Sequence, residues 1–143
     1  MNNDGWSDTI LDAQLDAYIA LAQELADAGQ NAEIAVVAFD SDAEQIDVNP
    51  AAGGVQAFTT AGSDLDGNGI SDVEEALCSL TDTGLTNYEA ALSTAESALV
   101  NHGSDPANAN VVFLSDGVPT VGGSHDDEAQ SLKTVANNVQ AFG

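Results

Sequence analysis

The sequence predicts an α/β fold: an open, doubly wound, mostly parallel sheet with helices on both faces. Three observations predict it. Two short segments, 33–39 and 110–114, carry continuous apolar runs rich in Val and Ile, the pattern of strands covered on both faces. Apolar residues recur at helical spacing before, between and after them. The resulting order, helix, buried strand, edge strand, helix, buried strand, helix, alternates the two kinds of element as such a sheet requires.

Each element has its own signal. The spacing of Leu11, Leu15, Ile19, Ala22 and Ala26 predicts an amphipathic helix over about 8–28, and Gly29 supplies its stop. EIAVVAF, 33–39, is the first buried strand. A more polar strand follows at about 44–48, before Pro50 and Gly53-Gly54 break the chain. VQAFT, 55–59, is a further short extended piece. Residues 60–83 are dense in Gly, Asp, Ser and Thr. Ala91, Leu92, Ala95 and Leu99 mark a helix over about 87–100, with Gly103 just beyond it. NVVFLSDG, 110–117, is the second buried strand and its polar turn. Ser124 and Asp127 form a capping-box-like start to a last helix running to about Ala141. In a sheet of this kind ligands bind at the carboxyl ends of the strands, which places Asp40, Ser41 and Asp42, and Ser115 and Asp116, on that rim.

The length of 143 residues suits one domain. Its 24 acidic side chains against one basic, Lys133, leave a net charge of −23. Nucleic acid is excluded as a partner, since nothing neutralises phosphates, and anionic membrane surfaces repel the chain. No apolar run approaches the roughly 20 residues that span a bilayer. MNNDGWSD has neither the basic nor the apolar region of a signal peptide. With Cys78 alone there is no internal disulfide. The charge favours cations or a cation-rich medium, although most of these carboxylates need be no more than solvated.

One segment names the cation. DLDGNGISDVEE, Asp64 to Glu75, fits D-x-[DN]-x-[DN]-G-x5-E without a mismatch. Its ligands would be the side chains of Asp64, Asp66, Asn68, Asp72 and Glu75 and the backbone carbonyl of Ile70, with Gly69 at the sharp turn. Oxygen donors in this number suit Ca²⁺ better than Mg²⁺. The alternative is an acidic turn feeding a helix, with Asp72 and Glu74 at its N-terminus. Ser71 stands where a paired EF-hand usually has an apolar residue, and no preceding helix is visible. The loop resembles instead the calcium loops of bacterial surface proteins and thrombospondin type 3 repeats. A lone loop of this kind binds weakly, with Kd on the order of 10⁻⁴–10⁻³ M, and orders the insertion, about 60–80, in which it lies.

Two further segments, GLTNYEAAL at 84–92 and VVFLSDGVPT at 111–120, resemble the von Willebrand factor A (VWA) domain. In that family G-x-T-N-x-x-x-A-L leads into a helix and a buried strand ends in S-D-G-x-P. The resemblance covers most of 1–143 and leaves only the calcium-loop insertion outside. It implies a metal-ion-dependent adhesion site holding Mg²⁺ (or Mn²⁺), in which Thr86 and Asp116 are ligands and a carboxylate from a protein partner completes the coordination. Taken singly, Thr86 would be a helix N-cap and Asp116 a turn former.

The sequence departs from the family in one respect: D-x-S-x-S, which supplies the other ligands, occurs nowhere in it. Residues 2–14 look like the loop and helix that follow that motif. The expectation is therefore a partial VWA domain, lacking the first strand and the last strands, with weak Mg²⁺ binding. His102, His125, Cys78, Trp6 and Lys133 carry no recognisable chemistry; the acids of SHDDE, 124–128, favour a helix start. No nucleophile motif is present and no base is placed near Ser115. The expected function is a non-enzymatic, metal-dependent protein-binding or adhesion module of a bacterial surface or secreted protein, extracellular as part of a larger chain. A calcium-stabilised structural domain without an adhesive site is the second reading. A third is a VWA subunit of an intracellular metal-insertion complex, against which the calcium loop argues.

Overall fold

The computed structural model describes residues 10–50, 53–81, 84–115 and 117–142. In chain order the elements are α1 (Ile10–Asp27), β1 (Glu33–Ile34), β2 (Val37–Phe39), β3 (Ala43–Gln45), β4 (Thr59–Thr60), α2 (Asp72–Cys78), α3 (Tyr88–His102), β5 (Asn110–Leu114), α4 (Asp126–Val135) and β6 (Asn138–Phe142). They divide into two compact units, one of Met1–Val36 with Ile46–Asp82, the other of Val37–Gln45 with Thr83–Gly143.

In the first unit, the predicted stripe of α1 becomes a buried face. Leu15 and Ala22 pack with Val73, Ala76 and Leu77 of α2 and with Val36 and Val48, and Leu11 and Ile19 border them. Most helical stability in a folded protein comes from packing an apolar face, and this burial contributes about 1.5–3 kcal/mol for each large side chain. Helix α2 starts at Ser71, whose Oγ accepts the Glu74 N–H at 3.3 Å. Strands β1 and β4 pair antiparallel, Glu33 opposite Thr60 and Ile34 opposite Thr59.

In the second unit, β2 and β3 form an antiparallel hairpin. The turn is held by Asp40 N–H donating to the Asp42 carbonyl (2.8 Å) and Asp42 N–H donating to Asp40 Oδ1 (3.0 Å). Strands β5 and β6 run parallel, Asn110 opposite Asn138 through Leu114 opposite Phe142. The two pairs meet through aromatic rings: Phe39 of β2 stacks on Phe113 of β5, centroids 5.1 Å apart, and Tyr88 stands edge-on to both. Helix α3 is capped by Asn87, whose Oδ1 accepts the Ala90 N–H, and ends at left-handed Gly103. It packs against α4, whose Leu132 is fully buried.

The helices near 8–28 and 87–100 and the strand at 110–114 stand where the sequence places them. Several expectations are corrected. The apolar run 33–39 is two strands, parted at Ala35–Val36 and paired with different, antiparallel partners; a continuous apolar run signals burial and leaves strand number and direction open. The extended piece at 55–59 reduces to β4, and the edge strand shifts to 43–45. The last helix ends at Val135, and Asn138–Phe142 is a strand. Five residues of ladder with β5 outweigh the helical tendency of that tail, and one of the strands expected to be missing is present. The helix also begins without the predicted cap: Ser124 Oγ accepts the Asp126 N–H at 3.4 Å, and His125 occupies the cap position with no side-chain bond. Its first turn is nonetheless acidic, as expected, with Asp126, Asp127 and Glu128. Among the described residues the strands form three two-stranded sheets, of which β5–β6 alone is parallel. No described helix is long and apolar enough to cross a membrane.

Candidate functional site

The loop of the first unit is organised by its own acids. Asp64 accepts three backbone N–H groups: Gly67 (2.8 Å) and Asn68 (3.2 Å) on Oδ1, and Gly69 (2.9 Å) on Oδ2. The Gly69 bond leads the causes that hold the Asp64 carboxyl below the usual carboxylate range. Asp66 Oδ1 accepts the Asn68 N–H (3.0 Å). The Asn68 amide nitrogen donates to both Asp66 Oδ2 (3.0 Å) and Glu75 Oε1 (2.6 Å), while its oxygen accepts the Ile70 N–H (2.8 Å). Asp66, Asn68 and Glu75 thus converge, with a partly positive amide N–H₂ joining two carboxylates. Gly67 and Gly69 take φ of +74° and +89° within this turn.

Asp72 has a different task. It is 4% exposed, and both of its carboxylate oxygens are engaged: Oδ1 accepts the Leu65 N–H (3.2 Å), and Oδ2 accepts Asn49 Nδ2 (3.1 Å) and Thr59 Oγ1 (3.3 Å). Its own N–H donates to the Ser63 carbonyl. Asp72 therefore fastens the loop to the interior of its unit. Among the described residues, no group of three or more His, Cys, Asp or Glu side chains is arranged to hold a metal ion. The oxygens of Asp64, Asp66, Asn68 and Glu75 with the Ile70 carbonyl are hard donors that suit a divalent cation chemically, once the Asn68 amide turns its oxygen to them.

The second unit brings together three loops far apart in sequence. Ser41, after β2, receives the Leu85 N–H on Oγ (3.2 Å) and the Asn87 Nδ2 on its carbonyl (2.9 Å). Thr86 is tied to the loop after β5: its N–H donates to Thr120 Oγ1 (2.9 Å), and its carbonyl accepts the N–H groups of Thr120 (2.8 Å) and Val121 (3.2 Å). Tyr88 donates its hydroxyl proton to the Gly117 carbonyl, and Gly123 donates to Glu89 Oε2. Ser115 is buried, its Oγ turned back on Gly117. Asp116 lies outside the described residues. Asn87 caps α3, so Thr86 has no capping duty.

Glycines make the fit close. A Cβ on Gly84 would lie 2.7 Å from Asp40 Oδ2, and one on Gly122 would lie 2.5 Å from Asn87 Oδ1. Both residues have positive φ, +87° and +91°. Asp40 and Ser41 follow β2 in the hairpin turn, and Ser41 meets the segment that leads into α3. Asn87 stands in the G-x-T-N segment, but neither its bond to Ser41 nor the roles of Thr120, Gly122 and Gly123 are marked by any pattern in the sequence, since these are contacts across more than 30 residues. The one available hint was the P-T step after S-D-G.

Curated proteins and solved structures offer no match to this chain. The family model for the von Willebrand factor type A domain matches residues 1–118. That span holds the G-x-T-N segment and the S-D-G motif, while Thr120 and Val121, which bond Thr86, lie just beyond it. The chain belongs to the von Willebrand factor type A domain family.

Proposed function

We propose that the chain is a divalent-cation-dependent protein-binding module of a bacterial surface or secreted protein, built on the doubly wound VWA plan. The observation that carries this reading is the convergence of Ser41, Thr86 and the Gly117–Thr120 turn in one unit. Thr86, relieved of helix capping, offers a hydroxyl there, and Asp116 follows Ser115 in the sequence. A hydroxyl and a carboxylate are hard donors for Mg²⁺ or Mn²⁺, and incomplete coordination leaves room for a carboxylate from a protein partner. Because the D-x-S-x-S ligands are not in these 143 residues, the cation is held weakly. The reading involves no catalysis.

The test is a titration of the ¹⁵N-labelled chain with Mn²⁺, a paramagnetic stand-in for Mg²⁺. Millimolar Mn²⁺ should broaden the amides of 84–87 and 117–120, and Thr86→Ala should remove that response. Broadening confined to 64–75 would refute the rim as a cation site.

A second reading has its own observation. Asp72 ties the Asp64–Glu75 loop to Asn49 and Thr59 in the interior, so Ca²⁺ bound by Asp64, Asp66, Asn68, Glu75 and the Ile70 carbonyl would stiffen the first unit, as a structural domain requires. Calcium that raises the melting temperature, with a rim silent to Mn²⁺, would favour it.

A further inference from the structure

We infer that Thr120 is the positioning residue of the rim: it sets the backbone of Thr86 and thereby the direction of the Thr86 side chain. The importance of that direction rests on the cation reading above; the positioning itself does not.

Thr86 precedes the cap of α3, where backbone groups have no helical partner of their own. Thr120 satisfies both. Its Oγ1 accepts the Thr86 N–H at 2.9 Å, and its own N–H returns to the Thr86 carbonyl at 2.8 Å, with Val121 N–H joining at 3.2 Å. The contact is reciprocal and spans 34 residues of sequence. On either side, Leu85 and Asn87 are held by Ser41. Three consecutive residues are thus pinned, so the Cα–Cβ bond of Thr86 has a fixed direction, and its β-branched side chain has few rotamers left.

The segment after Thr120 keeps the latch in register. Side chains at Gly122 and Gly123 would meet Asn87 Oδ1 at 2.5 Å and Glu89 Oε2 at 2.9 Å, and Gly123 N–H donates to Glu89. Thr120 supplies the acceptor, and Gly122 and Gly123, two and three positions on, supply the clearance over the start of α3. A valine at 120 keeps the shape of threonine and loses the acceptor, whereas a serine keeps the acceptor.

The experiment compares the wild-type chain with Thr120→Val, Thr120→Ser and Gly122→Ala by NMR. It reads Thr86 amide exchange, Thr86 χ1 couplings, and broadening by Mn²⁺ alone. Loss of one hydrogen bond predicts about tenfold faster Thr86 exchange in Thr120→Val. Averaged χ1 couplings and a higher Mn²⁺ requirement at 84–87 should accompany it, with the response of 64–75 unchanged. Thr120→Ser should restore all three. A chain merely loosened by the substitution would show faster exchange across α3 and no rescue pattern specific to Thr86. Exchange and χ1 of Thr86 identical to wild type in Thr120→Val would overturn the positioning role. If that variant does not fold, Gly122→Ala, which displaces the segment from Asn87, is read in the same way. A wild-type rim silent to Mn²⁺, with the exchange and χ1 effects intact, would overturn the cation reading and leave the positioning role standing.

Discussion

The acidic loop of the first unit and the rim of the second are built by opposite strategies. The loop is local: Asp64, Asp66, Asn68 and Glu75 fall within 12 consecutive residues and bond mainly to each other's backbone. The rim is assembled from three segments joined across 29 to 46 residues, by bonds such as Tyr88–Gly117, Thr120–Thr86 and Asn87–Ser41. A local site keeps its geometry as long as its own turns persist. An assembled one exists only when the unit around it is folded. The difference teaches where a substitution should be felt.

The largest effect is expected at the one residue of the loop that reaches into the interior. Asp72→Ala leaves the Leu65 N–H, Asn49 Nδ2 and Thr59 Oγ1 without their acceptor at a buried site. A loss of about 3 kcal/mol or more in chemical denaturation follows. An unchanged midpoint would mean that the loop is independent of its unit and the contrast wrong. Gly122→Ala comes next. A Cβ at positive φ and close to Asn87 Oδ1 costs about 1–3 kcal/mol, seen as a lower melting temperature with the loop's amide shifts unaltered.

Calcium should act on the loop alone. With Kd near 10⁻³ M, about ten times that concentration stabilises by about 1.4 kcal/mol, and Asp64→Asn with Glu75→Gln should abolish the gain in a thermal melt. Acid is the gentlest probe. The Asp64 carboxyl is held below its ordinary range, chiefly by the Gly69 N–H. A group whose folded pKa is depressed contributes stability that is present above its unfolded pKa and lost as pH falls through the folded value. The amide shifts of 67–69 should therefore hold to lower pH than those around ordinary carboxylates, and a midpoint shared with exposed Asp side chains would contradict the bonds described.

Legibility in the sequence follows the same division. The turn of 64–69 was readable because Gly and Asx residues fix turns over a few positions. The stripe of α1 and the strand at 110–114 were readable because helical and buried-strand patterns are local. The pairing of β1 with β4, the split of 33–39 and the strand at 138–142 were not. Each depends on which distant backbone is available to complete a ladder, and the alternation in NVQAF is too short to outweigh a helical approach. Within the candidate sites, residue type and spacing are what point to Thr86 and the loop acids. The bonds of Asp72 to Asn49 and Thr59 were not readable, because spacing assigns a carboxylate to a loop position and cannot tell which distant groups its oxygens will accept from.

The sequence by itself determined the family, the acidic loop and the chemical character of the chain: a net charge of −23 and hard oxygen donors at defined spacings. These are properties of composition and short-range order, which survive without a fold. The tertiary structure alone decided that Asn87 rather than Thr86 caps α3, that Asp72 is an interior fastening, and that Thr120 latches Thr86. Those are hydrogen bonds between distant segments. Their donors and acceptors meet only after the chain has closed the intervening loops, and nothing in the local pattern of residues records which of them will meet.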